Sequence, residues 1–340
     1  MWYETIIDRG ILPNWALRMF VRQGLKQYDR RVSGIDSNTV AINQASFRSS
    51  CYTGPIAINT DEANRQHYGV PAEFFLKFLS TYMKYSGSLW NGESTTLEQS
   101  DKSTLETYIE RASISDGHQI LDLGCGWGAL SLQMAQMYTR SQITAVTNSE
   151  QQAAFIRNRI RMAKLDNLNI VHANIKHYKP PSQFDRVVSI EMFEHVRDPE
   201  SVLRHIRSWL RPKGKLFLQV FSHKTTPQHF DNVRGSWMSR HFFTGGMMPY
   251  AGFYTDICGH LDPLSIWNIS GLNYHKTLEA WLDNLKRNEP SALNALRIQS
   301  TTVRAKTYLN RYRLFLIFCS ELFRYNNGQD WYLMHYLFQN

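Results

Sequence analysis

Residues 118–128 read His-Gln-Ile-Leu-Asp-Leu-Gly-Cys-Gly-Trp-Gly, a short apolar run ending in three glycines at alternate positions. The apolar run suits a buried strand, and the glycines suit a turn where backbone approaches a ligand closely before a helix begins. Strand, glycine turn and helix in that order leave only a few α/β folds open. The chain beyond keeps the alternation. Strands are expected over 118–123, 142–147, 169–172, 184–190 and 215–221, with helices over 129–138, 150–163 and 199–210. Pro212-Lys213-Gly214 marks the turn into the fifth strand. The expected fold is a Rossmann-like, doubly wound α/β sheet that binds ligands at the carboxyl ends of its strands.

Outside this core the pattern changes. Trp15–Lys26 reads as a helix, followed by a polar segment, Arg31–Arg48, rich in Ser, Asn and Thr. From 223 to 263, aromatic, Gly and Pro residues read as an irregular lid. A strand is expected over 265–270, helices over 277–287 and 303–323, and a final strand over 331–338. The expected organisation is an N-terminal helical extension, 1–60, and a sheet domain, 61–340, with a substrate cap inserted around 222–325.

Composition narrows the class. With 43% hydrophobic and 20% charged residues the chain is not a disordered one. The longest purely apolar run, Leu314 to Cys319, falls far short of a membrane span, and the N-terminus lacks a signal-peptide layout. Cys51, Cys125, Cys258 and Cys319 have no metal-ligand spacing, so no metal is expected, and free thiols suit a reducing cytoplasm. A net charge of +9 comes with no nucleic-acid-binding signature, so it reads as surface solvation. In the first helix Trp15, Met19 and Leu25 alternate with Arg18, Arg22 and Lys26; such a helix could lie on a membrane surface or pack on its own protein. Peripheral membrane contact and a homodimer both stay open.

The glycine turn alone is a weak signal, because dinucleotide dehydrogenases use a related one. Those enzymes carry Gly-x-Gly-x-x-Gly and an acidic residue further on for the ribose. Here the second strand ends Thr147-Asn148-Ser149, without a carboxylate. Asp122, just before the turn, sets an anion where a cationic amino group could meet it. S-adenosylmethionine (SAM) carries a sulfonium and an ammonium, so a local anion serves it better than it serves a pyrophosphate. Past the fourth strand stand Glu191, Glu194 and His195. An amine near pH 7 is mostly an ammonium and must lose a proton before its lone pair can attack. A histidine is the natural base, one carboxylate can orient it, and another can hold the cationic substrate. A helix entry with acidic residues near its first turn would look the same.

Several separated motifs add to this reading. They are His67-Tyr68-Gly69-Val70-Pro71, Lys84-Tyr85-Ser86, the glycine turn, and Glu191-Met192-Phe193-Glu194-His195. Further on come 241–249 (His-Phe-Phe-Thr-Gly-Gly-Met-Met-Pro), Tyr274-His275-Lys276-Thr277 with Trp281, and Glu321-Leu322-Phe323 with Asn326-Asn327-Gly328 and Trp331. In that order they resemble the SAM-dependent group containing cyclopropane fatty acid synthases and coclaurine N-methyltransferases, more closely the latter branch, from about residue 62 to the end. The resemblance implies a class I SAM-methyltransferase fold with SAM as methyl donor. It implies that Tyr85 and Ser86 touch the methionine end and that backbone at Gly124 and Gly126 passes beneath SAM. Thr147 and Gln152 would hold the ribose, and Asn174 and Ile175 would flank the adenine, although loop capping accounts for Asn174 as well. His195 would be the base, Glu194 its partner or co-base, and Glu191 the anchor of the substrate amine.

The synthases of this group are expected to hold bicarbonate with a Cys after Tyr-Ser, the Glu of Phe-Glu-His, a His on the fifth strand and a Tyr in the late helix. By alignment the chain keeps only Glu194, with Gly87, Gln219 and Phe315 at the other positions. A site without those ligands should not hold the anion that takes the second proton in cyclopropane formation. The expected reaction is therefore N-methylation of a small, aromatic-bearing, alkaloid-like amine. Cyclopropane-fatty-acyl-phospholipid synthesis or lipid methylation is the alternative, and a non-catalytic SAM-binding role comes after it.

Overall fold

The computed structural model describes residues 2–51, 70–92, 96–231, 236–298 and 300–340. His67-Tyr68-Gly69 and the expected boundary at residue 60 lie outside the described residues.

The α/β sheet is present as one seven-stranded sheet. Its strands are β1 (Gln119–Leu123), β2 (Gln142–Thr147), β3 (Leu168–His172), β4 (Phe184–Ile190), β5 (Leu210–His223), β8 (Asp262–Ile269) and β9 (Trp331–Gln339). A separate ribbon pairs β6 (Gln228–His229) with β7 (Met247–Met248). The sheet order is β3-β2-β1-β4-β5-β9-β8; the first five strands run parallel, and β9 lies antiparallel to β5 and β8. Ile120, Leu121, Leu123, Val187 and Val188 are all buried, as in strands covered on both faces. The chain runs outward from β1 to β3 and returns to β4 on the other side of β1. The turns after β1 and β4 therefore meet at the crevice where such sheets bind ligands.

Several elements differ from the sequence reading. The Ser/Asn/Thr-rich segment folds as the helix Ser37–Cys51, its start held by Asp36 Oδ1, which accepts from Asn38 N and Thr39 N at 3.0 Å each. Only Phe47 and Cys51 of this helix are buried, too few to make an apolar stripe in the sequence. The helix Leu97–Arg111 was not anticipated either. Its inward face mixes Leu105, Tyr108 and Ile109 with buried Ser100, Asp101 and Thr104, which blurs the periodicity. Its signature was local: Thr96 and Gln99 form a reciprocal capping box. The lid region contains the short helices Trp237–His241 and Phe253–Ile257. Three helices, Gly271–Arg287, Glu289–Arg297 and Thr302–Arg324, then complete the cap before β9.

The N-terminal helix Asn14–Val32 docks on the cap through charge. Arg18 Nη1 and Arg22 Nε donate to Glu321 of Thr302–Arg324 at 2.8 and 2.7 Å, and Arg18 Nη2 donates to Glu279 at 2.8 Å. Burial alone would raise Glu321, but the two guanidiniums hold it below the usual carboxylate range. Arg18 and Arg22 thus serve the protein interior, while Trp15 and Met19 stay exposed, at 69% and 55%. Among the described residues no helix is long and apolar enough to cross a membrane.

Candidate active site

The turn after β1 is pinned to β2: Gly124 N and Cys125 N both donate to Val146 O, at 2.9 and 3.0 Å. Gly124 and Gly126 take φ of +81° and +54°, a region open mainly to glycine. A Cβ on Gly124 would lie 2.4 Å from Met192 Cγ, so this turn and the one after β4 pack directly together. Tyr85, Ser86, Asp122, Gly124, Gly126, Gln152 and Glu191 line one pocket here. Asp122 is buried and accepts from the Ser131 hydroxyl; burial pushes its carboxyl up to about 6, against that hydrogen bond. Thr147 Oγ1 donates to Gln152 Oε1 at 2.6 Å, which leaves the Gln152 amide nitrogen buried with no partner among the described residues. A buried donor on one side and a buried carboxylate on the other fit a ligand that carries hydroxyls and an ammonium, as SAM does. Thr147 does not line the pocket itself and touches it only through its bond to Gln152. Asn174 and Ile175 do not line the pocket: Asn174 Oδ1 accepts from Lys176 N at 3.0 Å and caps its own turn, and Ile175 packs on the core.

Glu191, at the tip of β4, takes φ +48°, a conformation that non-glycine residues seldom adopt. Its side chain is held from three directions. Oε1 accepts from Gly87 N at 2.9 Å and from Gln219 Nε2 at 2.8 Å, and Oε2 accepts from the Tyr274 hydroxyl at 2.8 Å. The Gln219 amide is oriented in turn. Arg111 Nη1 lies 2.7 Å from His335 Nδ1, and since a guanidinium only donates, His335 carries its proton on Nε2. That Nε2 donates to Gln219 Oε1 at 2.7 Å, as does the Tyr108 hydroxyl, also at 2.7 Å. A one-way chain of donors from Arg111 thus ends on the Glu191 carboxylate. Beneath it, Lys84 Nζ donates to Ser86 O and Gly87 O at 3.0 and 2.6 Å, bracing the backbone that reaches Glu191. Burial lowers Lys84 to about 8, opposed by the nearby Asp101 and Glu191 charges. Burial also raises Glu191, opposed by Lys84 and by its three donors.

Glu194 and His195 do not form the expected pair. Glu194 is fully buried; Oε1 accepts from Phe221 N at 2.7 Å, and Oε2 has no partner among the described residues. Burial, with the Glu191 charge nearby, drives its carboxyl well above the usual range. The His195 ring stands edge-on to Phe243 at 4.9 Å, and burial lowers it to about 4, so it is neutral at pH 7. Glu194 therefore ties the 193–195 turn to β5 rather than orienting the imidazole. Lys84 and Tyr274 lay within quoted motifs without a role. Tyr108 and Arg111 ride on the unanticipated helix, and nothing in the sequence marked His335.

Glu191 and His195 open into an apolar chamber walled by Tyr85, Phe221, Phe243, Tyr274 and Phe315. Phe315 stacks on Phe242 at 4.5 Å. At Gly87 a Cβ would lie 2.8 Å from Leu333 Cδ1 and 2.9 Å from Tyr274 Cγ, so a cysteine enters only if these side chains shift. Gln219 is committed to Glu191. Of the four anion-ligand positions, only Glu194 offers a free oxygen.

The buried ionisable groups predict a pH dependence of stability. Burial lowers His118, His195, His223, His229, His241, His275 and His335. Burial raises four carboxyls, Asp101, Asp122, Glu191 and Glu194. On acidification from pH 7 to 5 the unfolded chain protonates all its imidazoles near 6.5, while the folded chain resists at these seven. The four raised carboxyls work the other way, because the folded chain takes up those protons first. Across this window the imidazoles favour the unfolded state, and stability is expected to fall. His195, His223 and His229, each at about 4, extend the loss down to that pH. Thermal melts should show Tm several degrees lower at pH 5 than at pH 7; an equal or higher Tm at pH 5 would contradict these assignments.

The signature described as mycolic acid cyclopropane synthetase matches residues 57–332. The chain is similar to (S)-coclaurine N-methyltransferase of Thalictrum flavum subsp. glaucum, 31% identical over 98% of this chain and 94% of that one. It is also similar to (S)-coclaurine N-methyltransferase of Papaver somniferum, 32% identical over 98% of this chain and 96% of that one. Among solved structures it is similar to coclaurine N-methyltransferase bound to N-methylheliamine and SAH, with a TM-score of 0.93 and 30% identity, covering 99% of this chain and 98% of that one.

Proposed function

The chain belongs to the mycolic acid cyclopropane synthetase family and is a SAM-dependent methyltransferase, and from that premise we propose that it N-methylates a small, aromatic-bearing amine of the kind its coclaurine N-methyltransferase relatives are named for. The observation that carries this reading is the Glu191 carboxylate. It is fixed by three donors at the junction of the glycine-turn pocket and an aromatic chamber.

Bound SAM supplies a methyl group on a sulfonium, an electrophile that needs no further activation. The chain's own residues prepare the acceptor. Phe221, Phe243, Tyr274 and Phe315 exclude water from the amine and favour an aromatic body. Glu191 accepts an N–H of the incoming ammonium and aligns its nitrogen, and positioning of this kind accounts for most of the acceleration. A ring nitrogen of neutral His195, in the same chamber, takes the proton that the ammonium gives up. The N–C bond then forms as the S–C bond breaks. Glu194 positions His195 through the turn it anchors. In the cofactor pocket Asp122 meets the ammonium of the methionine end, and the Gln152 amide donates to the ribose. Asn174 and Ile175 would reach the adenine from beyond that pocket. Cys51, Cys125, Cys258 and Cys319 are all unpaired, which suits a reducing, cytoplasmic setting.

Incubation with SAM and a panel of secondary amines, alongside unsaturated phospholipid vesicles, tests the reading by product mass. Methylated amines and unchanged lipid are expected. Modified lipid with no methylated amine would replace it with the lipid reading.

A further inference from the structure

We propose that Arg111 and His335, neither of which lines the cofactor pocket or the chamber, are positioning residues that hold Glu191 as a bare carboxylate by fixing which way the Gln219 amide faces. The effect on turnover rests on the amine-methylation reading; the effect on the carboxylate stands apart from it.

An amide side chain fits its site in two orientations, because its oxygen and its NH₂ are nearly the same size, so the neighbours must choose. At Gln219 most of them cannot. The Tyr108 hydroxyl, 2.7 Å from Oε1, can donate or accept. The bond from Nε2 to Gly87 O is long, at 3.4 Å, and weighs little. Glu191 accepts from the amide when ionised but donates to it when protonated. Two arrangements are therefore complete. In the observed one, His335 Nε2 donates to Gln219 Oε1, and the amide NH₂ donates to an ionised Glu191. In the other every link is reversed. His335 carries its proton on Nδ1, the amide is turned over, and a protonated Glu191 donates to Oε1.

Burial favours the second arrangement, since it penalises the Glu191 charge. Arg111, the last residue of the helix Leu97–Arg111, forbids it. A guanidinium has no acceptor, so an Nδ1–H on His335 would face the Arg111 Nη1–H at 2.7 Å. The guanidinium is kept in place by Trp267 on β8, with Cζ over the ring and 4.7 Å from its centroid. Burial and the charges of Arg111 and Lys84 all lower the His335 imidazole, so the ring is neutral and passes on a tautomer rather than a charge. The other ionisable groups facing Glu191 are Lys84, Tyr85, Tyr108, Glu194, His195, Tyr274 and Cys319. None of them is altered when Arg111 or His335 is replaced.

Three variants provide the test. Arg111→Met keeps the aliphatic stem and loses the donor. Arg111→Lys keeps a donor. His335→Phe breaks the chain but leaves the Arg111 charge. Tm verifies that each is folded. In Arg111→Met and His335→Phe the infrared spectrum at neutral pH should gain a protonated-carboxyl band that a further Glu191→Gln substitution removes. With SAM and a secondary amine, the acidic limb of kcat/KM should move up by about one to two pH units, the worth of one hydrogen bond to a charged group. Losses should thus be deepest at low pH and shrink as pH rises. Arg111→Lys should keep the wild-type limb.

A limb that stays put in Arg111→Met and His335→Phe while the plateau drops would make both residues structural and overturn the proposal. A limb moved by Arg111→Met alone would mark a direct effect of charge and overturn it as well, as would Arg111→Lys behaving like Arg111→Met. If the band appears but neither wild type nor variants methylate any amine, the positioning role stands and the amine-methylation reading falls. Methylation by the wild type with no new band in the variants does the reverse.

Discussion

Glu191→Gln is expected to lower kcat/KM for amine methylation by about 10²–10⁴-fold, the range of a lost positioned acid–base or anchoring group. The substitution keeps size and shape but changes two things. It removes the charge that holds an ammonium. It also puts an NH₂ where Oε2 was, so the Tyr274 hydroxyl must turn from donor to acceptor, while the Gly87 and Gln219 amides keep the remaining oxygen. The hydrogen-bond set can thus largely survive, and the loss falls chiefly on activity. Cofactor binding checks that the fold is intact. The Kd for S-adenosylhomocysteine, measured by calorimetry, should change by less than about threefold, since Asp122 and Gln152 remain in place. Activity within tenfold of wild type would remove Glu191 from the chemistry.

Gly87→Cys restores the residue type expected of the synthases and should harm this enzyme severely. The new Cβ would sit 2.8 Å from Leu333 Cδ1 and 2.9 Å from the Tyr274 ring. Overpacking of this kind costs about 1–3 kcal/mol, so Tm should fall by several degrees. Relief requires Tyr274 to move, and Tyr274 is one of the three groups that hold Glu191. Amine methylation should therefore drop with the displaced ring, and no cyclopropane lipid should appear. A variant with wild-type Tm and activity would show that the chamber yields where the packing says it cannot.

These two positions illustrate what the sequence could reveal. The glycine turn and the strand–helix alternation are local patterns, and each reappears in the structure where its spacing placed it. Gly87 was readable only as a missing cysteine; its steric reason lies in Leu333 and Tyr274, far away in the chain. The donor chain from Arg111 through His335 and Gln219 joins a helix to the two antiparallel neighbours β5 and β9. No spacing rule connects such residues, because the sheet order brings them together. The Glu194–His195 pairing failed for a related reason. Glu194 Oε1 accepts from the Phe221 amide on β5, a partner that only the fold supplies. Arg18 and Arg22 fitted a helix lying on a membrane or packing on its own protein, and Glu321, some 300 residues on in sequence, supplies the buried counter-charge that packs it.

The central claim is that the transferred methyl remains a methyl. SAM carrying a trideuterated methyl, offered together with a secondary amine and unsaturated phospholipid, tests it most directly by mass spectrometry of both products. The chamber described here predicts a tertiary amine that keeps all three deuteriums and lipid that carries none. A cyclopropane lipid holding two deuteriums, its third lost to a base, would contradict the account.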